Sequence, residues 1–149
     1  MKKETDELNE KILESARSEF LAYGYQDASL RRICHAAGLT TGALYKRYES
    51  KDSLFVALLE PTLRALDQYG QEQKRRDYAF LEEGHLSDMW AHRLEDLQSL
   101  MRILYKYKDI MQLLLFKSQG SSQADFRKRL PHLAADETYR SLVLAYKER

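Results

Sequence analysis

A basic stretch that contains no carboxylates is the part of this sequence best suited to chemistry on a partner. No aspartate or glutamate occurs between Asp27 and Glu49. The basic residues in the same stretch are Arg31, Arg32, Lys46 and Arg47. Threonine and tyrosine side chains, which can hydrogen-bond to phosphate oxygens, lie among them. A positively charged surface of this kind favours a polyanion as its partner.

Three helices must position these side chains. Apolar residues at three- and four-residue spacing, from Leu8 to Tyr23, predict a first helix that starts near Thr5 or Asp6. We expect Gly24 to end this helix in the left-handed conformation.

A second and a third helix follow at once. Ser29 is a good N-cap for the second helix, and Gly38 supplies a sharp turn after it. Thr40 or Thr41 then caps a third helix with the sequence TGALYKRY. Two short helices joined by a glycine turn form a helix-turn-helix, which suits docking on DNA.

The rest of the sequence is also helical in pattern. A fourth helix opens at Ser50–Ser53, and we expect Pro61 to kink or break it. The polar residues 70–84 predict a frayed helix end, a short helix and a loop. Further helices are expected from about Ser87 to Tyr105, from Asp109 to Lys117 and, after the loop SQGSSQ, from Asp125, with an interruption at Pro131.

Composition narrows the class of protein. The chain has 149 residues, of which 44% are hydrophobic and 32% charged, and its net charge is only +1. Any affinity for nucleic acid must therefore come from local clustering of charge. Strong helix formers dominate, so we predict an all-α fold. A single cysteine, a charged N-terminus and the lack of a long apolar run predict a cytoplasmic protein with no membrane contact.

The stretch ILESARSEFLAYGYQDASLRRICHAAGLTTGALYKRYESKDSLFVALLE resembles the DNA-binding domain of the tetracycline-repressor (TetR) family. The resemblance covers about residues 8–60. Six residues fall at the family's spacing, namely Gly24, Gly38, Gly42, Tyr45, Tyr48 and Lys51. Departures from the family pattern are few. Cys34 and His35 stand after Ile33, where small and charged residues are more usual, and Tyr48 stands where phenylalanine is commoner.

This resemblance implies a DNA-binding regulator, most simply a repressor. Hydroxyl groups and helix N–H groups would contact phosphates, Gly42 would allow the backbone to approach DNA, and Lys51 matches the family's backbone-contacting lysine. The candidate DNA contacts are Ser29, Arg31, Thr40, Thr41, Gly42, Tyr45, Lys46, Arg47 and Lys51. The alternative is that these residues are solvated surface charges and ordinary helix caps.

The resemblance also implies two domains. A DNA-binding head would comprise residues 1–50, and a helical body for ligand binding and dimerisation would comprise residues 51–149. A homodimer would read a palindromic operator on double-stranded DNA. The family usually continues with two long helices that form the dimer interface. This chain stops at Arg149, so we expect those helices to be missing, shortened or replaced.

An apolar or aromatic effector would bind in the body and shift the spacing of two heads. The candidate pocket residues are Tyr69, Tyr78, Phe80, Trp90, Met101, Tyr105, Met111 and Phe116. Each of these side chains also fits an ordinary core position. His92, four residues after Asp88, is a candidate polar anchor or a simple surface pair.

Two other classes of function are alternatives to a regulator. An enzyme is disfavoured because the sequence contains no phosphate-binding glycine loop, no H-E-x-x-H and no nucleophile elbow, so we assign no catalytic residue, metal ligand or cofactor. The other alternative is a helical adaptor that keeps the fold without binding specific DNA. Salt-dependent DNA affinity would distinguish it from a regulator.

Overall fold

The structure is a computed structural model that describes residues 2–84, 88 and 91–129. The regular elements of these residues are all helical. They are α1 (Lys2–Asp27), α2 (Leu30–Ala37), α3 (Thr41–Tyr45), α4 (Lys51–Glu82), α5 (Arg93–Lys106), α6 (Lys108–Gln112) and a π-helical turn (Leu113–Lys117). The chain is all-α, as predicted.

The first helix is longer than its sequence pattern predicted. It begins at Lys2 and ends at Asp27, and Gly24 interrupts it with φ 74° and ψ 171°. The positive φ expected at Gly24 is present, although its ψ is extended rather than left-handed helical. The helical turn resumes because the amide of Ala28 donates to the carbonyl of Gly24 at 3.1 Å.

Aromatic rings form the centre of the first core. The rings of Phe20 and Phe55 meet edge to face with centroids 4.9 Å apart, and Tyr25 meets Phe55 at 5.0 Å. Such edge-to-face pairs add stabilisation beyond the area that they bury. The other fully buried side chains of this core include Ile12, Ile33, Leu44, Leu54, Leu59, Leu113 and Leu114.

The start of α4 is fixed by a reciprocal cap. The hydroxyl of Ser50 accepts from the amide of Ser53 at 3.0 Å, and the hydroxyl of Ser53 accepts from the amide of Ser50 at 3.0 Å. This arrangement satisfies two amides that would otherwise lack intrahelical partners. The predicted opening of the fourth helix at Ser50–Ser53 is therefore confirmed.

The predicted end of α4 was wrong. The helix passes without a break through Pro61 and Gly70 and ends only at Glu82. Pro61 lies on the exposed side, and the polar residues after Gly70 are mostly glutamine, glutamate, lysine and arginine. These are strong helix formers, whereas one glycine costs only about 1 kcal/mol. The polarity of residues 70–84 therefore does not indicate a loop in this segment.

The described residues cluster into two compact units. The first contains residues 2–61 and 108–126, and the second contains residues 62–84, 88, 91–107 and 127–129. In the first unit, the π-helical turn packs against α1. Lys117 Nζ donates to the carbonyl of Leu21, and the amide of Ser122 donates to Asp52 Oδ1 at 2.9 Å. The sequence predicts a different division, at residue 50, between a DNA-binding head and a helical body. That division is based on function, and it stays a prediction.

The second unit is held by an ionic network between α4 and α5. The carboxylate of Asp96 is buried, and it accepts from Arg76 and, at 2.9 Å, from Gln73 Nε2. The hydroxyl of Tyr69 donates to the carbonyl of Asp96 at 3.0 Å, and Arg93 pairs with Asp77 at 3.4 Å. Partners of opposite charge compensate the cost of burying the Asp96 carboxylate.

Several sequence predictions fall near the ends of the described ranges. The Asp109–Lys117 helix is confirmed in position, although its second half is a π-helical turn. Residues 126–129 are helical after the turn-rich segment 118–125. The predicted cap at Ser87, the interruption at Pro131 and the last segment lie outside the described residues.

The packing of segment 108–126 against α1 leads to a stability prediction. Leu114 is fully buried, so we expect Leu114→Ala to lower the free energy of unfolding by about 2–5 kcal/mol. Phe116→Ala is the matched control because Phe116 is 69% exposed, and its effect should stay within about 0.5 kcal/mol. Urea denaturation followed by circular dichroism measures both changes. Equal effects of the two substitutions would contradict this packing.

Candidate nucleic-acid interface

Local caps set the geometry of the helix-turn-helix. The hydroxyl of Ser29 accepts from the amide of Arg32 at 3.4 Å and caps α2. Gly38 ends α2 in the left-handed conformation, with φ 70° and ψ 35°. The hydroxyl of Thr40 then accepts from the amide of Ala43 at 3.2 Å, so Thr40 is the cap of α3. These three predictions are confirmed, whereas the third helix ends earlier than predicted, at Tyr45.

The exposed face of α2 and α3 presents the basic and hydroxyl side chains. Thr41, Lys46 and Arg31 are exposed, and the Tyr45 side chain is 53% exposed. Leu44 is buried beneath them and fixes α3 on α2. We call this face, made of Arg31, Thr41, Gly42, Tyr45 and Lys46, the recognition surface. Its side chains are free of neighbouring carboxylates in the sequence, so its potential favours an anion.

Gly42 has no folding role that would require glycine. Its φ is not positive, and the nearest atom to an added Cβ would be Thr40 Oγ1 at 4.0 Å. Alanine would therefore fit, and it would favour the helix by about 0.5–1 kcal/mol. A glycine that the fold does not need, on an exposed basic surface, points to close approach by something outside the chain.

Besides Thr40, which caps α3, three of the predicted DNA contacts already have partners within the protein. Ser29 is used as the α2 cap, and Arg47 Nη1 donates to Asn9 Oδ1 at 2.9 Å. Lys51 Nζ donates to the carbonyl of Gln26 at 2.9 Å and lies 4.9 Å from the centroid of the Tyr25 ring. Partial burial lowers the pKa of Lys51. The negative charges of Asp27 and Glu19 act in the opposite direction but do not outweigh the effect of burial. DNA contacts by these residues would add to an existing structural role.

Sequence reasoning missed the ionic anchor beneath the recognition surface. The carboxylate of Glu19, on α1, is buried, and it accepts from the amide of Ser29 at 2.8 Å. It also accepts from Arg32 Nε at 2.8 Å, and Arg32 lies 4.3 Å from the centroid of the Tyr23 ring. We call Glu19, Tyr23, Ser29 and Arg32 the α1–α2 anchor. The sequence shows Arg32 only as one of several basic residues. Its partner Glu19 lies 13 residues earlier, so the pairing cannot be recognised from neighbouring residues.

The anchor holds Glu19 in its ionised form. Burial by itself raises the pKa of Glu19, but hydrogen bonds from Arg32 and Ser29 and the positive charges of Arg32 and Lys51 outweigh it. The net result is a pKa below the ordinary 4.5. A carboxylate with several donors is stabilised in its charged form, which is the balance seen here.

The predicted effector-pocket residues are distributed over both units, and their joint role stays a prediction. Met111 is buried and Phe116 is exposed in the first unit, whereas Tyr69 and Met101 belong to the second unit. Met101 is 50% exposed and Tyr105 is 79% exposed. Trp90 lies outside the described residues. Phe80 stacks on the His92 ring with centroids 5.4 Å apart, and Tyr78 is half-buried.

Clefts are found on the first unit. One of about 470 Å³ runs along α1 and is lined by Glu7, Glu10, Lys11, Glu14, Ser15 and Ala36. A smaller one of about 220 Å³ includes Tyr23, Gln26 and Phe116. Within the described ranges, no group of three metal-ligating side chains is found, and no helix has the length and hydropathy to cross a membrane.

Comparison with known families identifies this helix-turn-helix. Residues 12–58 match the model of the family described as bacterial regulatory proteins, tetR family. Residues 12–58 are thus similar to the helix-turn-helix of the tetR family. The matched range runs from Ile12, which is buried in α1, through α2 and α3 to Leu58 in α4.

Curated relatives share the TetR-type head. The chain is 45% identical over 47 residues to the HTH-type transcriptional repressor Rv1474c of Mycobacterium tuberculosis, a match that covers 32% of this chain and 25% of that protein. It is 41% identical over 49 residues to the HTH-type transcriptional repressor AcnR of Corynebacterium glutamicum, covering 33% and 26%. The matches thus span about a quarter of these relatives.

A solved structure extends the similarity to the fold of the rest of the chain. NalD of Pseudomonas aeruginosa, the secondary repressor of the MexAB-OprM multidrug efflux pump, superposes with a TM-score of 0.55 at 22% identity. The match covers 93% of this chain and 66% of NalD. This comparison shows a shared helical fold.

The α1–α2 anchor generates a prediction about acid stability. Glu19 contributes stability above pH 4.5 that is lost as the pH falls through its lowered folded-state pKa, because protonation removes the charge that Arg32 pairs with. Glu19→Gln should therefore lower the free energy of unfolding by about 1–3 kcal/mol at neutral pH. The deficit relative to wild type should shrink in acid.

Denaturant titrations at neutral pH and in acid would measure this difference. Glu14→Gln is the matched control, because Glu14 pairs with Arg17 at 2.8 Å but is exposed, and exposed pairs contribute little. A Glu19→Gln deficit that does not change with pH would show that the charge of Glu19 is not what stabilises α2.

Proposed function

We propose that this chain is a DNA-binding transcriptional regulator whose α3 enters the major groove. The observation that carries this proposal is the recognition surface, where exposed Arg31, Tyr45 and Lys46 surround a glycine that the fold does not require. An α-helix fits the major groove, and arginine, lysine and tyrosine are suited to base edges and phosphates. The similarity of residues 12–58 to the tetR family supports the same conclusion.

The direction of regulation and the form of the operator are part of the proposal. The matched relatives are named repressors, so repression is the expected outcome of binding. One head provides few contacts, and specific affinity therefore requires two heads on half-sites about one helical turn apart. We expect a homodimer on a palindromic operator in the cytoplasm. Regulation by a small apolar or aromatic effector, bound in the helical body, completes the proposal.

The role of Gly42 in the recognition surface can be tested with the substitution Gly42→Ala. The added methyl meets no atom of the protein closer than 4.0 Å, so the variant should be as stable as wild type or about 0.5–1 kcal/mol more stable. Its DNA affinity should nevertheless fall at least about tenfold, because the methyl occupies the space between backbone and DNA. Thermal unfolding and fluorescence anisotropy measure the two effects. Undiminished DNA affinity would contradict the assigned role of Gly42.

Salt dependence distinguishes a DNA-binding regulator from an adaptor. Lys46→Ala should weaken binding to all duplexes and reduce the slope of log K against log salt by about 1, since one phosphate contact is lost. Tyr45→Ala should cost about 1–3 kcal/mol of binding free energy without loss of helical content. Arg75→Ala, an exposed charge on α4, is the control and should change neither quantity.

The operator itself is accessible by selection from random duplexes. A palindromic site should be enriched by the wild-type chain and not by the Lys46→Ala/Tyr45→Ala double variant. If no palindrome is enriched and affinity shows no salt dependence, the chain is an adaptor that keeps the fold without reading DNA.

A further inference from the structure

A hydrogen bond joins α1 to the residue that follows the recognition surface. Arg47 Nη1 donates to Asn9 Oδ1 at 2.9 Å, and the two residues are 38 positions apart in the sequence. The backbone of Arg47 is fixed as well, because its amide donates to the carbonyl of Leu44 at 2.9 Å at the end of α3. Arg47 adjoins Lys46, so the contact lies at the edge of the recognition surface. We call Asn9 and Arg47 the α1–α3 clasp.

The partner of Arg47 is neutral, unlike the partners of two other arginines in the first unit. Arg32 pairs with the carboxylate of Glu19, and Arg17 pairs with that of Glu14. Arg47 instead bonds to an amide oxygen, and no carboxylate of the described residues forms an ion pair with it. Its side chain is exposed. Within the described part of the chain, the positive charge of Arg47 is therefore not neutralised.

The direction of this hydrogen bond also sets the orientation of the Asn9 amide. A guanidinium group only donates, so the atom of Asn9 that faces it must be the carbonyl oxygen. The Nδ2 group of Asn9 is left with its N–H donors, and no described residue accepts from them. Arg47 keeps donors too, because only one of its N–H groups is used. The α1–α3 clasp thus presents hydrogen-bond donors and one positive charge.

From these donors and their place beside α3, we infer that the α1–α3 clasp is a preformed site for a DNA phosphate, in which Asn9 is the positioning residue. This inference rests on the proposed function, because α3 must enter the major groove for the clasp to reach a strand. A helix in the groove has a sugar–phosphate backbone along each edge. A planar guanidinium binds phosphate through paired N–H groups, and this geometry requires that its orientation be set.

An amide suits this positioning role better than a carboxylate would. A carboxylate would orient Arg47 equally well, but it would also cancel the charge that attracts a phosphate. Without any partner, the long side chain of Arg47 would lose rotamer freedom on binding DNA, which costs affinity. The amide oxygen of Asn9 restricts that side chain in advance and leaves its charge intact. Asn9 therefore acts on DNA binding through Arg47.

Two substitutions of Asn9 separate positioning from a purely structural role. Asn9→Asp keeps an acceptor for Arg47 but neutralises its charge, so DNA affinity should fall at least about tenfold and the slope of log K against log salt by about 1. Its melting temperature should be unchanged or higher, because an ion pair replaces a neutral bond. Asn9→Ala frees Arg47 without neutralising it, so affinity should fall about two- to tenfold with an unchanged slope. A purely structural role predicts that Asn9→Asp binds DNA as wild type does.

A double-mutant cycle tests the link between Asn9 and Arg47. Arg47→Ala removes the phosphate contact and should lower affinity and salt slope as Asn9→Asp does. In the Arg47→Ala background, Asn9→Asp should change affinity by less than about twofold, because the charge on which it acts is gone. Gln98→Glu adds a carboxylate to an exposed residue of α5, outside the helix-turn-helix. It is the control for the change in net charge, and it should alter neither affinity nor slope.

The affinities are measured on DNA of no defined sequence. Fluorescence anisotropy of a labelled random-sequence duplex of about 30 base pairs, titrated with the full chain at several salt concentrations, gives both affinity and slope. Because phosphates are common to all sequences, Arg47→Ala should weaken binding to duplexes of different base composition by the same factor.

Wild-type affinity and slope in Asn9→Asp overturn the inference. So does a loss that persists undiminished in the Arg47→Ala background, because the added charge then acts without the clasp. A loss in Arg47→Ala that depends on base composition overturns the assignment to phosphate. If wild type binds no duplex, the proposed function fails and the inference fails with it. If wild type binds and Lys46→Ala weakens binding, but the Asn9 variants bind as wild type does, only the inference fails.

Discussion

The geometry of the helix-turn-helix depends on one buried charge. Glu19 holds the first amide of the helix-turn-helix, that of Ser29, and the side chain of Arg32 through a single carboxylate. A buried carboxylate is stable only while its donors surround it, so the anchor fixes the position of α2 on α1 more strictly than apolar packing does. Since α3 is positioned by α2 through the Gly38 turn and Leu44, the recognition surface inherits its geometry from Glu19.

This dependence divides the polar residues of the head into two groups. Ser29, Thr40 and Lys51 have partners inside the chain, which satisfy amide or carbonyl groups at helix ends. Thr41, Tyr45 and Lys46 are exposed on the recognition surface instead. The sequence pattern of a DNA-binding family contains residues with internal partners as well as exposed residues, both at fixed spacing. Both are needed because a helix presents its exposed side correctly only when its cap places it correctly. A residue can therefore belong to the pattern without touching DNA.

What could be predicted from the sequence follows the range of the interactions. The caps at Ser29 and Thr40 and the turn at Gly38 depend on neighbours within four residues, and all three were predicted. The Glu19–Arg32 anchor and the packing of Leu114 on the first unit join distant parts of the chain, and composition carries no signal for them. The length of α4 was missed for another reason: its polar second half lacks an apolar stripe but is rich in helix formers.

The helix α5 is amphipathic in the way that its sequence pattern indicates, but its buried side is ionic. Met101 and Tyr105 do form one side of an amphipathic helix, as their spacing indicates. The usual inference is that the apolar side faces the core. In α5 the opposite side carries Asp96, whose donors all come from α4, and this ionic network faces inward in its place. A helix whose polar side is satisfied internally presents its apolar side elsewhere, and the side chains of Met101 and Tyr105 are accordingly exposed in α5.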